Sequence, residues 1–287
     1  MTALPPLKAQ SLAVVDVTSG LRLAVADDYA CPTLRLFLPG DKSASGSVLI
    51  VYPEHVTVSE HGKSEPKHLY LWWPPRACLR PNWRQQGQSL EYEMDLKEDV
   101  HMLARATLDQ DGVRYHVEIT NRSKVDYDRV EAIWDPRFSE STFRDFRLER
   151  TYVHRKAGWQ LLASDLPDRL TMPLNQWFPC RYKDSYTWPV PPPGKRVVRD
   201  SDGITYYDAS QPVDVPVIAT FSGDKSWVAA SFAKDAGNVW TNPEITCQHA
   251  NPSAPLGAND KATLAGESFV FKGSLDDLLR KINLSQE

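Results

Sequence analysis

Several familiar catalytic signatures are missing from these 287 residues. There is no G-x-S-x-G elbow, no Rossmann glycine fingerprint and no P-loop. Their absence argues against an α/β-hydrolase, nicotinamide redox chemistry and nucleotide hydrolysis, and leaves open a serine or cysteine nucleophile assembled across the fold. Cysteine is scarce: Cys31, Cys78, Cys180 and Cys247 lie far apart and form no C-x-x-C pair, so a zinc knuckle or thioredoxin-type site is not expected. Two disulfides remain open beside buried free thiols. No apolar run reaches the length of a membrane-spanning helix. The first residues lack a basic segment followed by an apolar one, so the expected location is cytoplasmic, with no membrane partner. Charge of neither sign dominates. A formal net charge of −4 with scattered Lys and Arg gives no footprint for nucleic acid, and Lys195-Arg196…Arg199 is too short to make one.

What is present is strand after strand. Leu12–Val17, Leu21–Val25, Leu34–Leu38 and Ser47–Tyr52 are short β-branched or alternating runs separated by Gly, Pro, Asp and Ser. Further strands are expected at Arg129–Trp134, Thr151–Arg155, Val217–Phe221, Trp227–Phe232, Ile245–His249 and Ser268–Lys272. One helix is expected, opened by Ser274 with Asp277 three residues on, as in a capping box. Between about 163 and 216 regular periodicity fades into a long aromatic and Pro-rich loop holding Trp177 and Trp188. A long aromatic loop inside a compact domain is usually functional.

Two hairpins carry the functional reading. With Gly62–Lys67 as the connection, His61 stands opposite His68, Ser59 opposite Tyr70 and Thr57 opposite Trp72. Alternation then puts Val56, Val58, Leu69, Leu71 and Trp73 on an apolar face, and His55, Thr57, Ser59, His61, His68, Tyr70 and Trp72 on the other. Rings beside hydroxyls and imidazoles suit a polyhydroxylated ligand, whose C–H faces pack on aromatics while its hydroxyls need partners. The second hairpin turns at Asp111-Gly112. It opposes Leu108 with Tyr115 and Ala106 with Val117 on one face, and Thr107 with His116 and Arg105 with Glu118 on the other. Arg105–Glu118 is expected as a structural ion pair.

Tyr115-His-Val-Glu-Ile-Thr-Asn121-Arg-Ser-Lys reads as a strand ending in an Asn-x-Ser turn, and Val130-Glu-Ala-Ile-Trp134-Asp135-Pro136-Arg137-Phe138 as a strand ending in Trp-Asp-Pro-Arg-Phe. Together they resemble the central signature of galactose-mutarotase-like proteins, where a strand ending in an Asn-Thr/Ser turn precedes one ending in His-Pro-x-Phe. The match covers about two dozen residues. The resemblance implies an all-β, two-sheet antiparallel supersandwich, which with the predicted helix gives one domain over 1–287 closed by a short C-terminal helix. It also implies sugar binding on the concave face of the larger sheet. The chain departs from the pattern where the family's acid histidine would stand, since Asp135 occupies that place, and no counterpart of the late glutamate base is evident. Simple aldose mutarotation is therefore in doubt. Asn242-Pro-Glu-Ile-Thr-Cys247-Gln-His249-Ala-Asn251-Pro252, followed by Leu264-Ala-Gly-Glu-Ser, resembles an uncharacterised bacterial group that carries no activity with it.

The expected partner is a sugar or oligosaccharide, handled by an enzyme using general acid/base chemistry, with lyase or epimerase favoured over hydrolase. A noncatalytic glycan-binding protein on the same fold is the alternative. Asp135 is either a proton donor or acceptor, if burial raises its pKa, or a turn residue before Pro136. His249 is either a base or a histidine bonded to backbone. Tyr70 is a candidate lyase base or an ordinary half-buried strand residue. Arg137 is either a partner for a uronate or a partner for Asp135. His55, His61, His68, Trp72, Trp177 and Trp188 are the candidate sugar contacts, while Trp159, Trp227 and Trp240 are expected in the core. No cofactor is expected. A divalent metal is the minor alternative, held by His61 and His68 across the hairpin, because His55 and His61 would lie roughly 20 Å apart in an extended strand.

Overall fold

Alternation of β-branched and polar residues builds twenty strands in the computed structural model, which describes residues 12–26, 32–41, 46–63, 66–71, 81–165, 176–178, 196–198, 205–208, 211–242 and 245–285. In chain order they are β1 (Ala13–Val15), β2 (Arg22–Val25), β3 (Thr33–Phe37), β4 (Val48–Glu60), β5 (Lys67–Leu71), β6 (Arg84–Gln86), β7 (Ser89–Asp95), β8 (Val100–Asp109), β9 (Gly112–Asn121) and β10 (Tyr127–Arg137). The second half gives β11 (Thr151–Arg155), β12 (Gly158–Leu161), β13 (Gln176–Phe178), β14 (Arg196–Val198), β15 (Thr205–Asp208), β16 (Val215–Phe221), β17 (Trp227–Phe232), β18 (Ala236–Trp240), β19 (His249–Leu256) and β20 (Lys261–Lys272). One sheet has eight strands, ordered β1-β2-β3-β4-β10-β19-β18 with β5 also paired to β4; the other has nine, ordered β12-β11-β16-β17-β20-β9-β8-β7-β6. Every pair in both is antiparallel. The expected all-β two-sheet sandwich is present. The stretch expected as a long loop holds three strands of three or four residues, β13, β14 and β15, which form a small third sheet whose β13 lies beside β18. Strands that short are below the length at which a period of two can be read.

The main core lies between the sheets. Val56, Val58, Val130, Ala132 and Trp134 meet Ala104, Ala106, Tyr115, Val117 and Ile119 there, all buried. Tyr52 ties the sheets together, donating its hydroxyl to the Arg105 carbonyl (2.8 Å) and accepting from the His116 N–H (3.1 Å). A second core lies on the outer side of the nine-stranded sheet, where Val217, Val228, Phe232 and Phe271 receive Leu278 and Ile282 of helix α1 (Leu275–Ser285). The helix start matches its sequence signal: Ser274 N–H donates to Asp277 Oδ2 (2.8 Å) and Asp277 N–H to Ser274 Oγ (3.2 Å). Among the described residues no helix is long and apolar enough to cross a membrane.

Both hairpins keep the predicted division of faces over most of their length but not the predicted register. In the second, Leu108 faces Val113, Ala106 faces Tyr115 and Arg105 faces His116. Asp109 Oδ1 accepts the Asp111 N–H at 2.9 Å, so the turn begins earlier and Gly112 becomes the first residue of β9. The expected Arg105–Glu118 pair is replaced by Arg105–Glu91 (2.7 Å) and Lys261–Glu118 (2.8 Å). Gly112 is needed for another reason: its φ is +143°, and a Cβ would lie 2.0 Å from the Ser268 carbonyl oxygen of β20. We expect Gly112→Ala to cost roughly 1–3 kcal/mol through that overlap, read as a lower urea midpoint at unchanged slope; an unshifted midpoint would show that β20 yields freely.

Candidate functional site

The site is built on the side of the eight-stranded sheet that faces away from the nine-stranded one, and so not on the larger sheet, where the resemblance implied sugar binding. On β10, Val130, Ala132 and Trp134 point into the core, so Glu131, Ile133, Asp135 and Arg137 point the other way. Beside β10, Glu131 is in register with Thr57 and with Ser253, and Ile133 with His55. Between His55 and Val51, three residues of β4 stand opposite Trp134 alone, which bulges the strand and brings Glu54 toward Arg137. On the far side Trp240 of β18 pairs with His249 of β19. Arg137 makes an isolated bridge with Cys247, and the Gln248 N–H donates to the Pro136 carbonyl at 3.1 Å. The two segments that resemble known sequences, around Trp134–Phe138 and Asn242–Pro252, therefore run side by side.

A charge network occupies the centre. Asp135 and His249 are each 1% exposed, with His249 Nε2 3.3 Å from Asp135 Oδ1. Asp135 Oδ2 takes the Nε–H of Arg137 in a short charged hydrogen bond, and another guanidinium nitrogen of Arg137 lies 3.5 Å from Glu54 Oε1. Burial by itself would raise the Asp135 carboxyl, but Arg137 and then His249 outweigh it and hold the group well below the usual carboxylate range. Burial lowers the His249 pKa, against the pull of Asp135. Its Nε2 is the nitrogen that lies near that carboxylate, at ion-pair distance but without a hydrogen bond to Asp135 Oδ1, while Nδ1 has no hydrogen-bond partner. Trp240 stacks flat on the ring at 3.6 Å between centroids. The result is a neutral imidazole held against an ionised carboxylate.

Beside this network lies a pair of imidazoles joined by one hydroxyl. Thr57 Oγ1 is 3.0 Å from His55 Nδ1 and 2.8 Å from His68 Nδ1. A threonine has one O–H to give and two lone pairs to accept with, so at least one of the two rings donates its Nδ1–H to this hydroxyl. Burial, reinforced by His68 and His249, lowers His55 to about 3. Burial and then Lys97 lower His68. Both rings are thus neutral near pH 7, offering hydrogen bonds rather than charge.

The fold brings together His55, His68, Asp135, Arg137 and His249 of the predicted set, and it separates others. His61 is not opposite His68: Thr57 is, because a bulge at Leu69 shifts the register so that Val56 faces Tyr70. His61 projects at the turn, exposed, with Nδ1 2.7 Å from Asp128 Oδ1, which raises its pKa. It does not join His68 as a metal pair. The same bulge turns Tyr70 into the core, with Tyr92 nearby, and burial pushes its phenol up. The expectation that Tyr70 shares the imidazole face is corrected. Trp240, expected in the core, is buried, and its ring stacks on His249. Trp72 and Trp188 lie outside the described residues, and of Trp177 only the backbone position in β13 is described. Cys247 is a buried free thiol; Cys31, Cys78 and Cys180 lie outside the described residues.

Among the described residues, the Asp135, Cys247 and His249 ligand atoms lie within 4.8 Å of one another. Two features work against a divalent ion there. The Arg137 guanidinium already holds Asp135, and burial pushes the Cys247 thiol well up, keeping it protonated.

Sequence reasoning missed Glu131, Asn238 and Asn251. All three are buried on or beside β10 and β19, with polar atoms that find no protein partner. A carboxylate at a strand position otherwise reading as core was the available signal at Glu131. The two asparagines had none, because pairing of β18 with β19 is not visible in sequence.

No protein-family model and no curated protein sequence matches the chain. Solved structures do. A galactose mutarotase-like protein from Lactobacillus casei ATCC 334 superposes with a TM-score of 0.52 at 11% identity, over 90% of this chain and 100% of that one. The Slr1438 protein from Synechocystis sp. PCC 6803 superposes with a TM-score of 0.51 at 11% identity, over 95% and 99%. With its two antiparallel sheets and C-terminal helix, this chain has the galactose-mutarotase-like β-sandwich fold.

Proposed function

We propose that this protein is a carbohydrate-active enzyme that moves a proton on a sugar or oligosaccharide, with His249 as base. The observation that carries this reading is the buried His249–Asp135 pair. One imidazole nitrogen, Nε2, lies 3.3 Å from the Asp135 carboxylate while the other, Nδ1, has no hydrogen-bond partner. His249 Nδ1 would accept the proton from a ligand C–H or O–H. Asp135 would stabilise the imidazolium so formed, as a buried carboxylate does for a catalytic histidine. Arg137 keeps Asp135 ionised, so Asp135 serves as an electrostatic partner rather than as the acid. Neutral His55 and His68 supply directional hydrogen bonds for hydroxyls, and Trp240 fixes the His249 ring plane. A single histidine base with a carboxylate behind it suits isomerisation or elimination better than the carboxylate pair of a glycosidase.

The test is a screen of free aldoses by polarimetry and of uronic-acid polymers by ultraviolet absorbance, repeated with His249→Gln and Asp135→Asn. Turnover should fall about 10²–10⁴-fold in His249→Gln. In the parent protein, activity should rise with pH through a limb below pH 6.5, because His249 is active when neutral and its pKa is lowered. Turnover that survives His249→Gln would remove the base assignment. Sugar binding without turnover on any substrate would assign the fold here to glycan binding instead.

A further inference from the structure

Glu131, Asn251 and Asn238 form a polar strip that the His249–Asp135 chemistry does not use. Glu131 is 2% exposed, Asn238 1% and Asn251 1%. Glu131 Oε1 and both amide atoms of each asparagine have no hydrogen-bond partner in the protein. Buried polar atoms are nearly always paired, and five unpaired ones in one region of a fold mark a place where something else supplies the partners. The sheet places them together. Continuing the ladder in which Glu131 faces Ser253 sets Asn251 beside Ile133 and His249 beside Asp135, and Asn238 falls within the β18 irregularity flanked by Ala236–Pro252 and Val239–Ala250. His249, Asn251 and Ser253 are alternate residues of one strand and share its outward face.

We propose that Glu131, Asn238 and Asn251 are a second sugar subsite, which binds the uncharged residue next to the one held at Asp135 and His249, so that the ligand is at least a disaccharide. This rests on the proposed sugar reading and extends it. The chemistry of the strip is that of hydroxyl recognition. Each asparagine offers two donors and an acceptor, and a carboxylic acid that keeps its proton offers one donor and one acceptor. Burial raises the Glu131 carboxyl to about 8, more than Arg129, two residues along β10, pulls it down. The strip therefore presents no charge of its own. Spacing supplies the length argument. Glu131 and Asp135 are four residues apart on one strand, roughly 13 Å, farther than a single pyranose ring can reach while contacting both. Thr57, in register with Glu131, links the strip to the two imidazoles.

The experiment is a calorimetric titration with neutral glucose-, galactose- and N-acetylglucosamine-based monosaccharides and their disaccharides and trisaccharides. The subsite requires at least one disaccharide to bind about tenfold or more tightly than its monosaccharide. Asn251→Ala and Asn238→Ala should bring that disaccharide down to the affinity of the monosaccharide and leave the monosaccharide unchanged. Glu131→Ala should do the same, whereas Glu131→Gln, uncharged and of the same shape, should retain the gain. Thermal melts establish that each variant is folded, and the isosteric Glu131→Gln keeps the test available if an alanine variant is not. Monosaccharide binding or turnover with no dependence on chain length overturns the subsite and leaves the sugar reading standing; the strip would then hold water only. Equal losses for one and two units overturn it as well. No binding to any saccharide overturns both.

Discussion

Replacing Arg137 with methionine should cost about 3–5 kcal/mol of folding stability, the range found when one partner of a buried ion pair is removed. The reason is geometric. Arg137 holds Asp135 through Nε and approaches Glu54 through a second nitrogen, while Asp135 is 1% exposed. Without the guanidinium, burial is opposed at Asp135 only by His249, and its carboxyl moves up. The sign of the pH effect follows. In the parent protein the Asp135 pKa is depressed, so its contribution is present above the unfolded value near 3.8 and is lost only as pH falls toward the folded one. In Arg137→Met the carboxyl must either ionise without its main partner or stay protonated, so the deficit is largest near pH 7 and shrinks at pH 4. Arg137→Lys should recover only part of the loss, because one ammonium cannot reproduce two separated guanidinium contacts. Urea melts of the three proteins at pH 4 and 7 measure this. A deficit in Arg137→Met that is the same at both pH values would assign the cost to lost packing instead of charge.

Glu131→Gln and Glu267→Gln should stabilise the protein at pH 8 and do little at pH 4. Burial raises both carboxyls to about 8; at Glu267 the neighbouring Asp109 adds to burial. Between about 4.5 and 8 the unfolded chain releases these protons and the folded chain keeps them, so stability falls as pH rises. Each group accounts for a loss on the order of 3–5 kcal/mol at the upper end, which an amide removes. His55 gives the opposite slope. Its folded pKa is depressed to about 3, so stability is lost as pH falls from 6.5 toward 3. The parent protein should therefore be most stable in mildly acidic solution, with Glu131→Gln and Glu267→Gln flattening the alkaline limb and leaving the acid limb alone. Melting temperatures across pH 4–9 test this; equal gains at pH 5 and pH 8 would mean that the two side chains titrate normally.

The fold implied by the resemblance in the middle of the chain is present, and the local chemistry of that segment is visible in the structure. Asn121 Oδ1 accepts from the Ser123 N–H (3.0 Å) and Oγ (2.7 Å), making the turn its sequence promised. Trp134 and Asp135 point to opposite sides of one strand, indole to the core and carboxylate to the site. The second reading of Arg137, as the partner of Asp135, holds geometrically. The condition set on Asp135 as an acid, that burial raise its pKa, fails because Arg137 outweighs burial, and Arg137's reach to Asp135 depends on a backbone course that composition does not reveal.

Alternation along each strand, turn residues and the Ser274–Asp277 cap were enough to determine an all-β chain with one terminal helix, and to sort most side chains into core and outward faces. Those are short-range matters, decided by a period of two and by hydrogen bonds spanning a few residues. The tertiary structure alone decided which outward faces meet. A bulge at Leu69 sends Tyr70 inward and sets Thr57 against His68; a bulge in β4 brings Glu54 to Arg137; the pairing of β10, β19 and β18 lays His249 against Asp135 and Trp240. Register between strands distant in sequence is set by packing over the whole sheet, and shifting it by one residue exchanges the two faces.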